Sequence, residues 1–159
     1  MNHFRPNESA FSLVEVTLAL GVAAFCLVAI LGILPVGLKT QQASANQTVA
    51  TGIISQIAGD LRAAARLPPG QVSKQFSLKH TGGKWDTTPD YVYFNYNAQP
   101  TGTNQSAAPS DAIYRATITY RLPPTDTTSL ADIKVSWPAS QSDPTKVAGS
   151  VEMFVAINR

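Results

Sequence analysis

The sequence is poor in the residues from which most active sites are assembled. It has one cysteine, Cys26, and two histidines in 159 residues. One cysteine excludes an intramolecular disulfide, so cysteine usage carries no information about an oxidising compartment. His80 stands in "LKHTGGKWD" beside a glycine pair, the setting of a loop residue, and "TGGK" lacks the first glycine and the spacing of a phosphate-binding loop. Charge is sparse as well. Only 14% of residues are charged, and the 12 basic ones are scattered, for a formal net charge of +2. That distribution gives no footprint for nucleic acid. Asp86, Asp90, Asp111, Asp126 and Asp132 are expected in loops without forming the dense oxygen cluster that a hard cation needs. No catalytic constellation stands out, and neither an enzyme nor a cofactor is expected.

What the chain does have is a long apolar run near its N-terminus. From Val16 to Leu38 only Thr17 is clearly polar. As a helix this stretch would be about 35 Å long, enough to cross a hydrocarbon core of about 30 Å with some tilt. A fully buried core helix is the plain alternative, but about 18 uncharged apolar residues already make a membrane pattern. A secretory signal has a shorter apolar region, roughly 7–15 residues, before a small-x-small cleavage site. Lipidation at Cys26 would need a small residue before it, where Phe25 stands. A retained anchor is left, with Val16, Leu18, Leu20, Phe25, Leu27, Ile30 and Leu34 among its apolar side chains. Arg5 and the α-amino group favour a cytoplasmic N-terminus, although Glu8 and Lys39 blur that signal.

Glu15 lies at the edge of this run. A carboxylate at membrane depth costs roughly 2.5–3.5 kcal/mol and calls for a partner or a function, whereas at headgroup level it can reach water. The residues around it, Ala10 followed by "FSLVE" and then the apolar run, resemble the N-terminal signature of type IV prepilins and type II secretion pseudopilins. The resemblance implies cleavage by a prepilin peptidase between Ala10 and Phe11, N-methylation of Phe11, and an assembly role for Glu15, the fifth residue of the mature chain. Ala10 replaces the glycine usual in that family. Gly32 stands where the family often has proline, and Pro35 follows it. The stretch "FSLVEVTLALGVAAFCLVAILGILPVGL" is also similar to the Verru_Chthon cassette protein B group of pilin-like proteins, a resemblance that adds little about activity. Some pseudopilins bind calcium in a C-terminal loop, but no metal site is expected here for want of ligands.

Beyond Lys39, Val49, Ile53, Ile57, Leu61 and Ala65 recur at helical spacing with Ile54 and Ala58 beside them, while Asp60 and several glutamines take other positions. One helix is therefore expected to continue to about Arg66, loosened or kinked around Gly32, Pro35 and Gly37, and stopped by Leu67, Pro68, Pro69 and Gly70. After Val72 the period becomes two. Strands are expected at 91–96, 112–122, 133–137 and 150–157, with a weaker one at 75–79 and polar loops between. Asn46 and Asn104 open glycosylation-like triplets but read as solvated polar residues. Arg115 and Arg121 fall on the polar side of their strand.

These readings combine into an α+β fold of pilin type, a long helix packed on a small antiparallel sheet. The expected parts are a cytoplasmic leader over 1–10, a transmembrane and assembly segment over 11–38, the amphipathic half of the same helix over 39–67, and a sheet head over 68–159. The expected function is that of a filament or pseudopilus subunit held in the inner membrane with its head in the periplasm. Its partners would be the prepilin peptidase/methyltransferase, other pilin-like subunits, an inner-membrane assembly platform and the lipid bilayer. A membrane-anchored periplasmic binding or scaffold module that never polymerises is the alternative.

Overall fold

A computed structural model describes residues 12–68, 71–79, 88–121, 128–143 and 145–158. Its elements are one helix, α1 (Leu13–Ala64), and five strands: β1 (Asp90–Phe94), β2 (Pro100–Thr103), β3 (Tyr114–Arg121), β4 (Thr128–Trp137) and β5 (Gly149–Asn158). The chain divides into two compact units between Gln42 and Ala43.

In the first unit, α1 passes Gly32, Pro35 and Gly37 with its helical assignment unbroken. Pro35 has no N–H to offer the Leu31 carbonyl, so the expected weak point is the loss of one ladder bond within a helix that continues. Thr17 and Thr40 turn their hydroxyls back onto the carbonyls of Val14 and Val36, both at 2.9 Å. This removes the polarity of the hydroxyls from the helix surface.

The second unit is a helix-on-sheet sandwich. The strand order is β2-β1-β3-β4-β5, with every neighbouring pair antiparallel. The alternation read from the sequence sets which face is dry. Tyr114, Ala116 and Ile118 of β3 are buried, as are Ala131, Ile133 and Val135 of β4 and Val155 and Ile157 of β5. Against them lie Ala50, Ile53, Ile54, Ile57, Ala58 and Leu61 of α1, in one continuous core. The 3.6-residue and 2-residue periods thus meet on one interface. Tyr114 stands edge-on to Trp137, with ring centroids 6.1 Å apart.

Several boundaries differ from the sequence reading. The helix ends at Ala64, ahead of the proline pair. Residues 75–79 form no strand. A turn occupies 74–76, and Phe76 in it and Leu78 just after it are buried in the core. β2 lies in a segment read as loop, because Pro100, Thr101, Gly102 and Thr103 give no alternating signal. An edge strand tolerates such residues, since only one side of it must pair. Pairing slips between Tyr93 and Phe94 where β2 bulges. β4 starts at Thr128, earlier than expected, because β5 offers it a partner along its whole length.

Candidate functional site

Ala10 and Phe11, the expected cleavage and methylation positions, lie outside the described residues. Glu15 is the third residue of α1 and is exposed. The first helical bond runs from the Val16 N–H to the Ser12 carbonyl at 3.2 Å, so Ser12 holds the cap position and Glu15 the third place after it. Ser12-x-x-Glu15 is the spacing of a capping box. The free N–H groups and the positive end of the helix dipole both favour a carboxylate there. The fold therefore gives Glu15 a local electrostatic setting whether or not it meets another chain.

Every residue from Ser12 to Ala45 is exposed. The seven apolar side chains named above as anchors, Val16, Leu18, Leu20, Phe25, Leu27, Ile30 and Leu34, are between 47% and 76% accessible. Among the described residues none of the seven is covered by another part of the chain, a condition soluble domains rarely tolerate over so large a patch. α1 contains a stretch long and apolar enough to cross a membrane, with none of that stretch buried against the rest of the protein.

In the head, two buried carboxylates hold loops in place. Asp60, read as a polar position on α1, is buried at 7% accessibility. It accepts the Ser73 hydroxyl in a short hydrogen bond, the Gln75 N–H at 3.2 Å and the Phe76 N–H at 3.1 Å. The Ser73 oxygen in turn accepts the Leu78 N–H at 3.0 Å. Asp90, expected in a loop, opens β1 and is fully buried. It accepts from the Lys79 N–H at 2.7 Å, the Asn104 amide at 2.9 Å and the Tyr120 hydroxyl at 2.9 Å. Asp132 also lies in a strand, and its carboxylate meets Arg121 at 3.5 Å. The signal for the two buried acids was positional. Asp60 falls on the helical face of Ile57, Leu61 and Ala64, and Asp90 shares the parity of Val92 and Phe94.

Both asparagines read as solvated are structural. The Asn46 carbonyl oxygen accepts the Tyr114 hydroxyl at 2.8 Å, tying α1 to β3. Asn104, at φ 51°, accepts the Tyr91 N–H at 2.8 Å while donating to Asp90. Burial, reinforced by the nearby Tyr96, raises the Tyr114 hydroxyl above its ordinary pKa. On the surface, hydrogen bonds from Thr145 hold the Asp143 carboxyl below the usual range. Among the described residues there is no group of three or more His, Cys, Asp or Glu placed to hold a metal ion. His80, Asp86 and Asp126 lie outside the described residues. Compared with protein-family models, with curated proteins and with solved structures, the chain gives no match.

Proposed function

We propose that the chain is the precursor of a type IV pilin-like or pseudopilin structural subunit. In this reading a prepilin peptidase cuts after Ala10, and the processed chain waits in the inner membrane with its head outside the cytoplasm. It then assembles through the N-terminal half of α1. One observation carries the reading: a single helix has two halves that need different surroundings. Residues 50–64 are built into the head's own core, whereas 12–45 are bare and largely apolar. A bilayer satisfies the bare half in the monomer, and the same half of neighbouring copies satisfies it in a filament. The resemblance around "A-FSLVE" adds the processing step.

Glu15 then acts as a register device. Cleavage leaves a positive amine on Phe11, and in a dry helix bundle a neighbouring copy's amine can neutralise the carboxylate. The attraction strengthens as water leaves. A subunit entering at the wrong height leaves a charge unpaired, at a cost of about 3–5 kcal/mol.

The intact mass of the membrane-extracted protein tests the processing step. It should correspond to residues 11–159 plus one methyl group, and a mass that retains the leader in cells containing the peptidase would contradict it. Glu15→Val tests assembly. Cleavage and membrane retention should persist, while the assembled fraction in sheared or filament preparations falls at least about tenfold. Normal assembly of the Val variant would favour the non-polymerising anchored module.

A further inference from the structure

The sheet face turned away from the helix holds polar chemistry that neither the core nor the N-terminal half uses. The strand register places Tyr93 beside Arg115 and Arg115 beside Ser136. One rung on, Tyr91 lies beside Thr117 and Thr117 beside Lys134. The loop residues Gln105, Ser106, Ser142 and Val147 border this end of the face. Together they border a half-open recess of about 440 Å³, a volume within the range of small-molecule sites. The loops cover the face enough that Tyr93 is only 5% and Ser136 only 4% accessible, although both point away from the core.

We infer that this recess binds a polyhydroxylated monocarboxylic acid of the sugar-acid class, with the Arg115 guanidinium as its carboxylate anchor. The Arg115 Nε is buried and has no hydrogen-bond partner. Buried donors are rarely left so. The Arg115 side chain lines the recess, and two N–H groups of a guanidinium match the two oxygens of a carboxylate. Lys134 supplies a second cation, held only loosely by Glu152 at 4.0 Å. Among the described residues, the outer face of the strands carries Arg115, Arg121 and Lys134 against Asp132 and Glu152, three cations and two carboxylates, a surplus of one. That surplus suits a monoanion better than a phosphate group carrying roughly −1.5 to −2. The remaining lining is hydroxyl and carboxamide groups beside two phenol rings, with Val147 the one aliphatic side chain. It can satisfy the hydroxyls of a sugar ring but offers no apolar pocket for a peptide anchor.

The test is calorimetric titration of the full chain in non-ionic detergent with D-galacturonic acid, D-galactose, inorganic phosphate and a triglutamate peptide. Galacturonate should bind saturably, with galactose at least about tenfold weaker because it lacks the charged hydrogen bonds. The ¹⁵N resonance of the Arg115 Nε–H should move on addition of galacturonate alone. Arg115→Gln should abolish binding. Arg115→Lys keeps the charge but loses the planar fork, and should weaken binding at least about fivefold. Lys134→Gln should weaken it with near-ultraviolet circular dichroism unchanged. If Arg115→Gln does not fold, the other two variants decide. The inference is overturned if folded wild-type protein shows no saturable galacturonate binding, if the Lys variant binds as well as wild type, or if phosphate or the peptide is preferred. None of these outcomes depends on processing or assembly, so the site can fail while the subunit reading stands.

Discussion

Asp60 offers a quantitative test of how the head is held together. Its carboxylate ties α1 to the 71–79 segment by accepting three donors. In Asp60→Ala, the Gln75 N–H can turn to water, since Gln75 is exposed. The Ser73 hydroxyl and the Phe76 N–H cannot, because both residues are about 2% accessible. Each of the two buried donors left unmatched costs about 1–3 kcal/mol, so the loss should be about 2–6 kcal/mol. Asp60→Asn is gentler. Turned so that its carbonyl oxygen takes the Oδ2 place, it keeps the Ser73 and Phe76 bonds without the charge, and its amide meets only the Gln75 N–H, which can turn to water. The loss should then be about 1–3 kcal/mol. Urea unfolding of residues 43–159, monitored by far-ultraviolet circular dichroism, measures both. With a slope of about 2 kcal/mol per molar, the Ala midpoint should fall by roughly 1–3 M. An Ala variant within about 0.5 kcal/mol of wild type, or an Asn variant worse than Ala, would refute the hydrogen-bond account.

That fragment is itself a prediction. The continuous core runs from Ala50 to Ile157, so 43–159 should fold as a soluble domain, and an unstructured far-ultraviolet spectrum would contradict it. Gly149→Ala should cost about 1–3 kcal/mol in the same assay, because a Cβ there would stand 2.7 Å from the Trp137 Cε2 on the paired strand. A neutral result would mean that the Trp137 ring can move aside. Burial raises the Tyr114 pKa, so the folded state favours the protonated phenol. Its contribution is therefore full below the unfolded value near 10 and is lost as pH rises through the folded value. Unfolding midpoints followed from pH 8 to 11 should decline at the alkaline end, and Tyr114→Phe should soften that decline.

Much of the architecture was legible because two periods dominate the chain. The alternation through Tyr114, Ala116 and Ile118 and the helical recurrence of Ile53, Ile57 and Leu61 can each be buried in only one way. They therefore name the two faces of the core before any coordinates. The bare half of α1 was equally plain, since an apolar run of that length has no polar face to turn outward. β2 was hidden because an edge strand of Pro, Thr and Gly needs only a partner's backbone, which is a tertiary condition. Asp60 and Asp90 were misread because a carboxylate reads as surface until the donors aimed at it are known. Those donors come from residues 11 to 30 positions away in the chain. Arg115 was assigned to a solvated face for a related reason. The alternation of β3 determines which side of the sheet Arg115 takes. Only the arrival of Gln105, Ser106, Ser142 and Val147 from distant loops decides whether that side is open water or a recess. By itself the sequence determined the helix, the dry face of each strand and the membrane-like half, because these follow from short-range periodicity and hydrophobicity. The tertiary structure decided which polar groups lie inside, because burial of a polar group depends on partners that contacts distant in sequence bring to it.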